Sequence, residues 1–155
     1  MSDFKIQNFW PLLAAGVLAL ALQAQAGGKG WETDLDAAKI AAKDQNKHIL
    51  VEFTGSDWCP PCMMMRREVF TKEDFIKKAG ENYILVELDF PRKKDQDAAT
   101  KKKNEAAAKE FKIKGFPTVV LLDAGGKEYE RLVGGRQGGV DGFLKLLEAA
   151  RKKAG

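Results

Sequence analysis

His48-Ile-Leu-Val-Glu-Phe-Thr54, followed by Gly55-Ser-Asp57 and then Trp58-Cys59-Pro60-Pro61-Cys62, is the stretch that decides the fold. Its first part is an apolar run broken only by Glu52, the pattern of a buried strand. Gly55-Ser-Asp57 reads as a loop, and Pro60 suits the first turn of a helix, which should run to about Glu68. The only two cysteines of the chain therefore fall where a strand hands over to a helix. A helix start lowers a thiol pKa, and a second thiol within reach can close a disulfide. That is the minimum equipment for thiol–disulfide exchange.

The residue types around the pair refine this chemistry. Cys59 is expected at the helix N-cap, exposed at the end of the strand, where the helix dipole and first-turn amides favour its thiolate. Cys62 lies nearly one turn on and points back. Cys59 would attack a substrate disulfide, and Cys62 would resolve the mixed disulfide. Pro60 and Pro61 have no amide hydrogen, so the N–H of Cys62 is the main donor left for the Cys59 sulfur. No His or Lys stands between the cysteines, and Asp57 adds a negative charge. A moderately stabilised thiolate implies a reducing rather than strongly oxidising couple. Glu52, if buried beneath the cysteines, would have a raised pKa and could exchange a proton with Cys62. The alternative is a paired or partly exposed strand residue.

Working outward, Leu35, Ala38, Ile40, Ala41 and Ala42 fit a helix opened by Thr33 or Asp34 and ended by Asn46-Lys47. Thr71-Lys-Glu-Asp74 resembles a capping box before Phe75, Ile76 and Ala79. Tyr83–Asp89 is a second buried strand. Positions 91–100 read as a charged surface loop, and Lys101–Phe111 as a helix. The lysines within 93–103 read as a solvated face. Thr118–Leu122 is a third strand, joined to Glu128–Val133 by a hairpin at Asp123-Ala-Gly-Gly126. Val140, Phe143, Leu144, Leu146 and Leu147 give a last amphipathic helix. Helices between strands imply parallel pairing and the late hairpin an antiparallel edge. The expected class is therefore α/β: a central mixed sheet flanked by helices.

The chain has 155 residues, a formal net charge of +4, 45% hydrophobic and 31% charged residues, as befits one soluble globular domain. Its basic residues form no dense stripe with stacking aromatics, so nucleic-acid binding is not expected. Residues 1–26 read as a signal peptide. Lys5 gives a weak positive start, Trp10–Leu22 an apolar stretch short of a bilayer span, and Ala24-Gln25-Ala26 a small-residue cleavage site. An uncleaved anchor or a buried helix are the alternatives. A periplasmic or secreted location follows, with residues 27–155 as a single domain.

Metal sites also use cysteine pairs. A structural zinc site needs four ligands, and the chain offers two cysteines and His48. His48 reads as structural. A copper(I) carrier could use Cys59, Cys62 and the run Met63-Met-Met65. Met63 could instead form an adaptable apolar lip for substrates. No organic cofactor and no metal is expected in the favoured reading.

Cys59-Pro-Pro-Cys62 after a strand, with Gly115-Phe-Pro117-Thr118 some 55 residues later, resembles the thioredoxin-like superfamily. Lys112-Ile-Lys-Gly-Phe-Pro-Thr-Val-Val-Leu-Leu-Asp123, with Gly125-Gly126 and Gly134-Gly135, is similar to the second half of a thioredoxin domain. The resemblance spans about residues 31–152. It implies a thioredoxin fold and a cis Pro117 lying against the disulfide. It implies that the Phe116 backbone pairs with a substrate's extended chain, with Thr118 beside it, and that Trp58 shields one side. Glu52 matches the position of a buried acid. Cys-Pro-Pro-Cys departs from the common Cys-Gly-Pro-Cys, and the Gly55-Ser-Asp57 loop is one residue longer than in small thioredoxins. The exported chain and the 91–104 insertion are closer to periplasmic members, such as the C-terminal domain of the membrane thiol:disulfide interchange protein. The implied function is reduction or exchange of disulfides in exported proteins, with a membrane electron donor as a partner and a monomeric state. A dithiol oxidase of the same fold is the alternative.

Overall fold

A computed structural model describes residues 28–136 and 138–154. The signal peptide expected at residues 1–26 lies outside the described residues. The elements run α1 (Leu35–Gln45), β1 (His48–Thr54), α2 (Pro60–Met65), a π-helical turn (Arg66–Phe70), α3 (Glu73–Gly80), β2 (Tyr83–Asp89), α4 (Ala98–Glu110), β3 (Thr118–Leu122), β4 (Glu128–Val133) and α5 (Gly139–Ala154).

The four strands form one mixed sheet in the order β2-β1-β3-β4. β1 pairs parallel with β2, from His48↔Tyr83 to Thr54↔Asp89. β3 pairs antiparallel with β1 and with β4. The inference of parallel pairing from intervening helices therefore holds for β1–β2 and fails for β3. The chain passes from β2 through α4 to the far side of β1 and enters there in the opposite sense. β1 is thus central and buried on both faces, which is why its sequence reads as a nearly unbroken apolar run.

Alternation along the strands divides the core in two. Leu50, Leu85, Val119 and Leu121 pack with Met65, Val69, Phe70, Phe75 and Phe143, beneath α2, the π turn, α3 and α5. Ile49, Val51, Phe53, Val86, Leu88, Val120 and Leu122 pack with Leu35, Ala38, Ala107 and Phe111, beneath α1 and α4.

Local signals set the helix ends. Asp34 caps α1, its Oδ1 accepting from the amides of Asp36 (2.9 Å) and Ala37 (3.1 Å). Asn46 ends α1 at φ 51°, a left-handed conformation Asn tolerates. Ile40, counted toward that helix, is exposed, because the buried row is Leu35, Ala38 and Ala42. The helix that follows the cysteines runs past Glu68 by changing to a π turn. The capping box at Thr71 and Asp74 does not form. The Thr71 hydroxyl donates instead to the Arg66 carbonyl (2.9 Å) at the end of the π turn, and Lys72 precedes α3 with no side-chain cap. α4 starts at Ala98, three residues before the expected Lys101, because Asp97 Oδ1 accepts from the Thr100 amide (2.9 Å).

Candidate active site

The strand-to-helix junction closes on itself through Gly55. Its carbonyl accepts from the amides of Trp58 (3.3 Å) and Cys59 (3.0 Å). A Cβ at Gly55 would come within 2.5 Å of the Trp58 indole, so only glycine lets the ring fold back over the loop. Cys59 then takes the N-cap of α2, its carbonyl accepting from the Met63 amide (3.0 Å). Pro60 and Pro61 fill the first two helical positions, where no intrahelical donor is lost. Cys59 and Cys62 are joined in a disulfide, with Cα atoms 5.3 Å apart.

The expectation of an exposed Cys59 is overturned: it is buried, at 3% relative accessibility, and Cys62 is fully buried. Pro60 stands exposed above them, and the β4–α5 loop lies alongside, a Cβ at Gly135 falling 3.4 Å from that of Pro61.

Trp58 is held from three sides. Its Nε1 donates to the Phe90 carbonyl (2.7 Å). Its ring meets Phe116 edge-on at 5.8 Å. The Arg92 guanidinium lies 3.5 Å from the ring centroid, within cation–π range. Phe116 also packs on Phe90 at 5.0 Å. The Phe116–Pro117 peptide is cis. The Pro117 carbonyl accepts from the Gly134 amide (2.9 Å), and the buried Thr118 donates its hydroxyl to the Gly115 carbonyl (2.8 Å). Trp58 and Phe116 thus share one aromatic rim, continued by Pro117 and Thr118 at the start of β3.

Asp57 is more than a local charge. Its carboxylate accepts from three successive amides: Arg92 (3.0 Å), Lys93 (2.8 Å) and Lys94 (2.9 Å). These bonds, the Arg92 amide first, hold its carboxyl below the usual carboxylate range. Asp89 accepts from the Ser56 amide (2.9 Å) and hydroxyl (2.6 Å), tying the active-site loop to the end of β2. Nothing in the sequence singles out Phe90, Arg92, Ser56 or Asp89. Their roles depend on contacts across more than thirty residues, which no local pattern announces.

Glu52 is 1% exposed. It shares its face of β1 with Leu50, the face that α2 covers, and is therefore on the same side of the sheet as Cys62. Burial pushes its carboxyl up to about 8. The neighbouring Glu87 and Asp89 carboxylates push the same way, while Thr54 and Arg66 pull it down. Among the described residues its Oε1 has no hydrogen-bond partner. Glu87, the residue beside it on β2, escapes the sequence reading. The repeat Leu50-Val-Glu52 and Leu85-Val-Glu87 is the signal that could have revealed it.

His48 lies at the other end of β1, packed on Tyr83 (5.6 Å) and Tyr129 (5.3 Å), away from the cysteines. The copper(I) reading loses its ligand set. Met65 is 1% exposed within the core, whereas Met63 is 40% exposed, so the three methionines do not share one surface.

A model of the thioredoxin-like domain matches residues 35–151. The disulfide bond reductase DsbH of Chlamydia pneumoniae is 34% identical over 122 residues, 79% of this chain and 72% of that protein. The thioredoxin-related protein DsbJ of the same organism is 32% identical over 66% of this chain, which spans only 29% of DsbJ. Among solved structures, the DsbH oxidoreductase superposes with a TM-score of 0.73 at 31% identity, covering 97% of this chain and 95% of that one. The oxidised C-terminal domain of DsbD from Neisseria meningitidis shares the fold, with a TM-score of 0.56 at 21% identity over 77% of this chain and 98% of that one.

Proposed function

This chain belongs to the thioredoxin-like domain family and is a thiol:disulfide oxidoreductase, and we propose that it works in the reducing direction on exported proteins. The observation that carries this reading is the Cys59–Cys62 disulfide at the start of α2, with two prolines in place of amide donors. A thiolate that gains few hydrogen bonds gives a reduced form of only modest stability, and hence a couple that readily gives up electrons.

The reaction uses two sulfurs and one buried acid. The Cys59 thiolate attacks a substrate disulfide, its S–S bond breaks, and one substrate sulfur leaves as a thiolate that takes a proton from water. Cys62 passes its thiol proton to Glu52, and its sulfur attacks Cys59. The bond from Cys59 to the substrate breaks, and the second substrate sulfur leaves and is protonated in turn. Two electrons have moved from the dithiol to the substrate; its two sulfurs take their protons from water, which receives one from Cys59 as its thiolate forms and one from Cys62 by way of Glu52. Burial suits Glu52 to the role, since a carboxyl near 8 can both accept and return a proton close to neutrality. Trp58 shields one side, and Phe116, Pro117 and Thr118 form the platform for the substrate's extended chain. The substrates are disulfide-containing proteins, and a membrane donor restores the dithiol of a monomeric enzyme. The sequence of residues 1–26 supports export by a cleaved signal peptide, leaving 27–155 as the mature domain in the periplasm or outside the cell.

Equilibration of the protein in dithiol buffers tests the direction. The expected reduction potential is near that of thioredoxin, about −270 mV; a value near about −120 mV would make the protein an oxidase. In the same assay Cys62→Ser should stop turnover and accumulate the Cys59 mixed disulfide, visible by mass.

A further inference from the structure

Leu50-Val-Glu52 and Leu85-Val-Glu87 are not only alike in sequence. The parallel pairing sets Leu50 against Leu85, Val51 against Val86 and Glu52 against Glu87. The two acids are therefore side by side on the face covered by the cysteine helix. Their surroundings differ. Glu52 is sealed, with Oε1 unpartnered among the described residues. The Glu87 side chain keeps 12% of its surface and accepts from Arg66 Nη1 at 2.6 Å through Oε2. Arg66 opens the π turn that continues α2, so one helix carries both Cys62 and this cation.

Arg66, Glu87 and Asp89 line a cleft of about 610 Å³ that opens to solvent between the end of β2 and the start of α4. Asn104, which also lines it, is 3% exposed; its Nδ2 donates to the Asp89 carbonyl while its Oδ1 has no partner among the described residues. Two buried acceptors, Glu52 Oε1 and Asn104 Oδ1, thus flank the same acidic wall. Buried acceptors call for a donor; water in a polar cleft of this size can supply one to Asn104, which lines it, whereas Glu52 adjoins the cleft only through its neighbour Glu87.

We propose that this cleft is the proton outlet of the dithiol, with Glu87 relaying the proton between Glu52 and water and Arg66 positioning Glu87. The proposal rests on the role given to Glu52 above. In the mixed disulfide the substrate covers the cysteine side, so a proton left on Glu52 needs a second way out. β2, which bears the cleft, and β3, which starts at the substrate platform, flank β1 on opposite sides. The Cys62 sulfur keeps its electron pair for attack on Cys59, its proton goes to Glu52, and the Glu52 proton passes through Glu87 to water. During re-reduction the path runs backward.

The groups that face the two acids give the test its sign. Glu52 is faced by Glu87 and Asp89 from β2, by Thr54 from its own strand and by Arg66 from the π turn. Across the cleft, Lys94 is paired with Asp89 and Lys103 with Asp34, so neither is free to replace Arg66. Removing the Glu87 charge must ease ionisation of Glu52, and removing the Arg66 charge must oppose it.

The experiment is single-turnover resolution of the mixed disulfide by the reduced full chain with a glutathione-linked peptide, followed against pH. Glu87→Gln should slow resolution about 10-fold and move the pH inflection down by about one unit. Arg66→Gln should move the inflection up. Glu87→Asp and small buffer acids should recover the rate of Glu87→Gln, and buffer should not recover Glu52→Gln. Shifts of one sign in both charge variants, as loosened packing would give, overturn the relay. A Glu87→Gln profile equal to wild type overturns it while leaving Glu52 in place, provided Glu52→Gln is altered. If Glu52→Gln is also unaltered, the role of Glu52 falls and the outlet with it. Should Glu87→Gln fail to fold, Arg66→Gln decides in its place, since Arg66 is more than one-third exposed: a slower resolution that small buffer acids recover supports the relay, and an unchanged rate overturns it.

Discussion

On the side toward α1 and α4, β1 and β2 present Ile49, Val51, Phe53, Val86 and Leu88, all buried and all apolar. On the side toward α2, the same strands present Leu50 and Leu85 and then, one step further along, Glu52 and Glu87. The polarity changes at the level where β1 leads into the cysteine loop. The first face has only to hold the sheet together, and apolar side chains at native density do that best. In the mechanism proposed above the second face also handles a proton, and a carboxyl held in a desolvated site is the means. Burying such a group is unfavourable for its charged form, and the raised affinity of Glu52 for its proton is that cost made visible.

The contrast can be broken from the apolar side first. Phe53 is fully buried against Phe90 and Phe111. Phe53→Ala should lower stability by about 3–5 kcal/mol in urea unfolding. The reduction potential of the cysteines should stay close to wild type. A large change in potential would mean that the two faces are not separable.

From the other side, Glu52→Gln should alter how stability depends on pH. The folded state raises the Glu52 pKa from 4.5 to about 8, so it binds this proton more tightly than the unfolded chain does. The associated stability is fully present below 4.5 and is lost as pH rises through 8. Every tenfold gain in proton affinity on folding is worth about 1.4 kcal/mol. The oxidised variant should therefore be more stable than wild type at about pH 9, by a few kcal/mol, and equal to it near pH 4. Parallel stability curves across that range would show that Glu52 is not perturbed.

The smallest effect lies at the rim. Arg92→Ala removes the cation stacked on Trp58 and should lower stability by only about 0.5–1 kcal/mol, as expected of an exposed cation–π contact. Quenching of Trp58 fluorescence by iodide should rise. Unchanged quenching would mean that Phe116 and the Phe90 carbonyl alone hold the ring.

How far the sequence can be read follows from the range of each interaction. β1, β2, β3 and the hairpin are legible because buried runs and turn residues are local patterns, and Cys59–Cys62 is legible because its partners are three residues apart. The Asp97 cap is local too, an Asp three residues before Thr100, but the run of charges from Arg92 to Asp97 disguises it as part of a loop. The antiparallel entry of β3 is not legible, because a helix between strands says nothing about which edge the next strand joins. Nor is the burial of Cys59, which the residues next to it in sequence do not determine. The pairing of Asp57 with residues 92–94 spans 35 residues and more, and nothing in either segment alone points to the other.

That last contact has a consequence for variation. All three bonds to Asp57 come from main-chain amides, so they place no demand on the side chains at positions 92–94 beyond excluding proline. The anchor and its cargo are independent. Residues 92–94 can be exchanged, in nature or at the bench, while the loop that carries them stays fastened to Asp57, so this short stretch tolerates in its side chains a variation that its backbone does not.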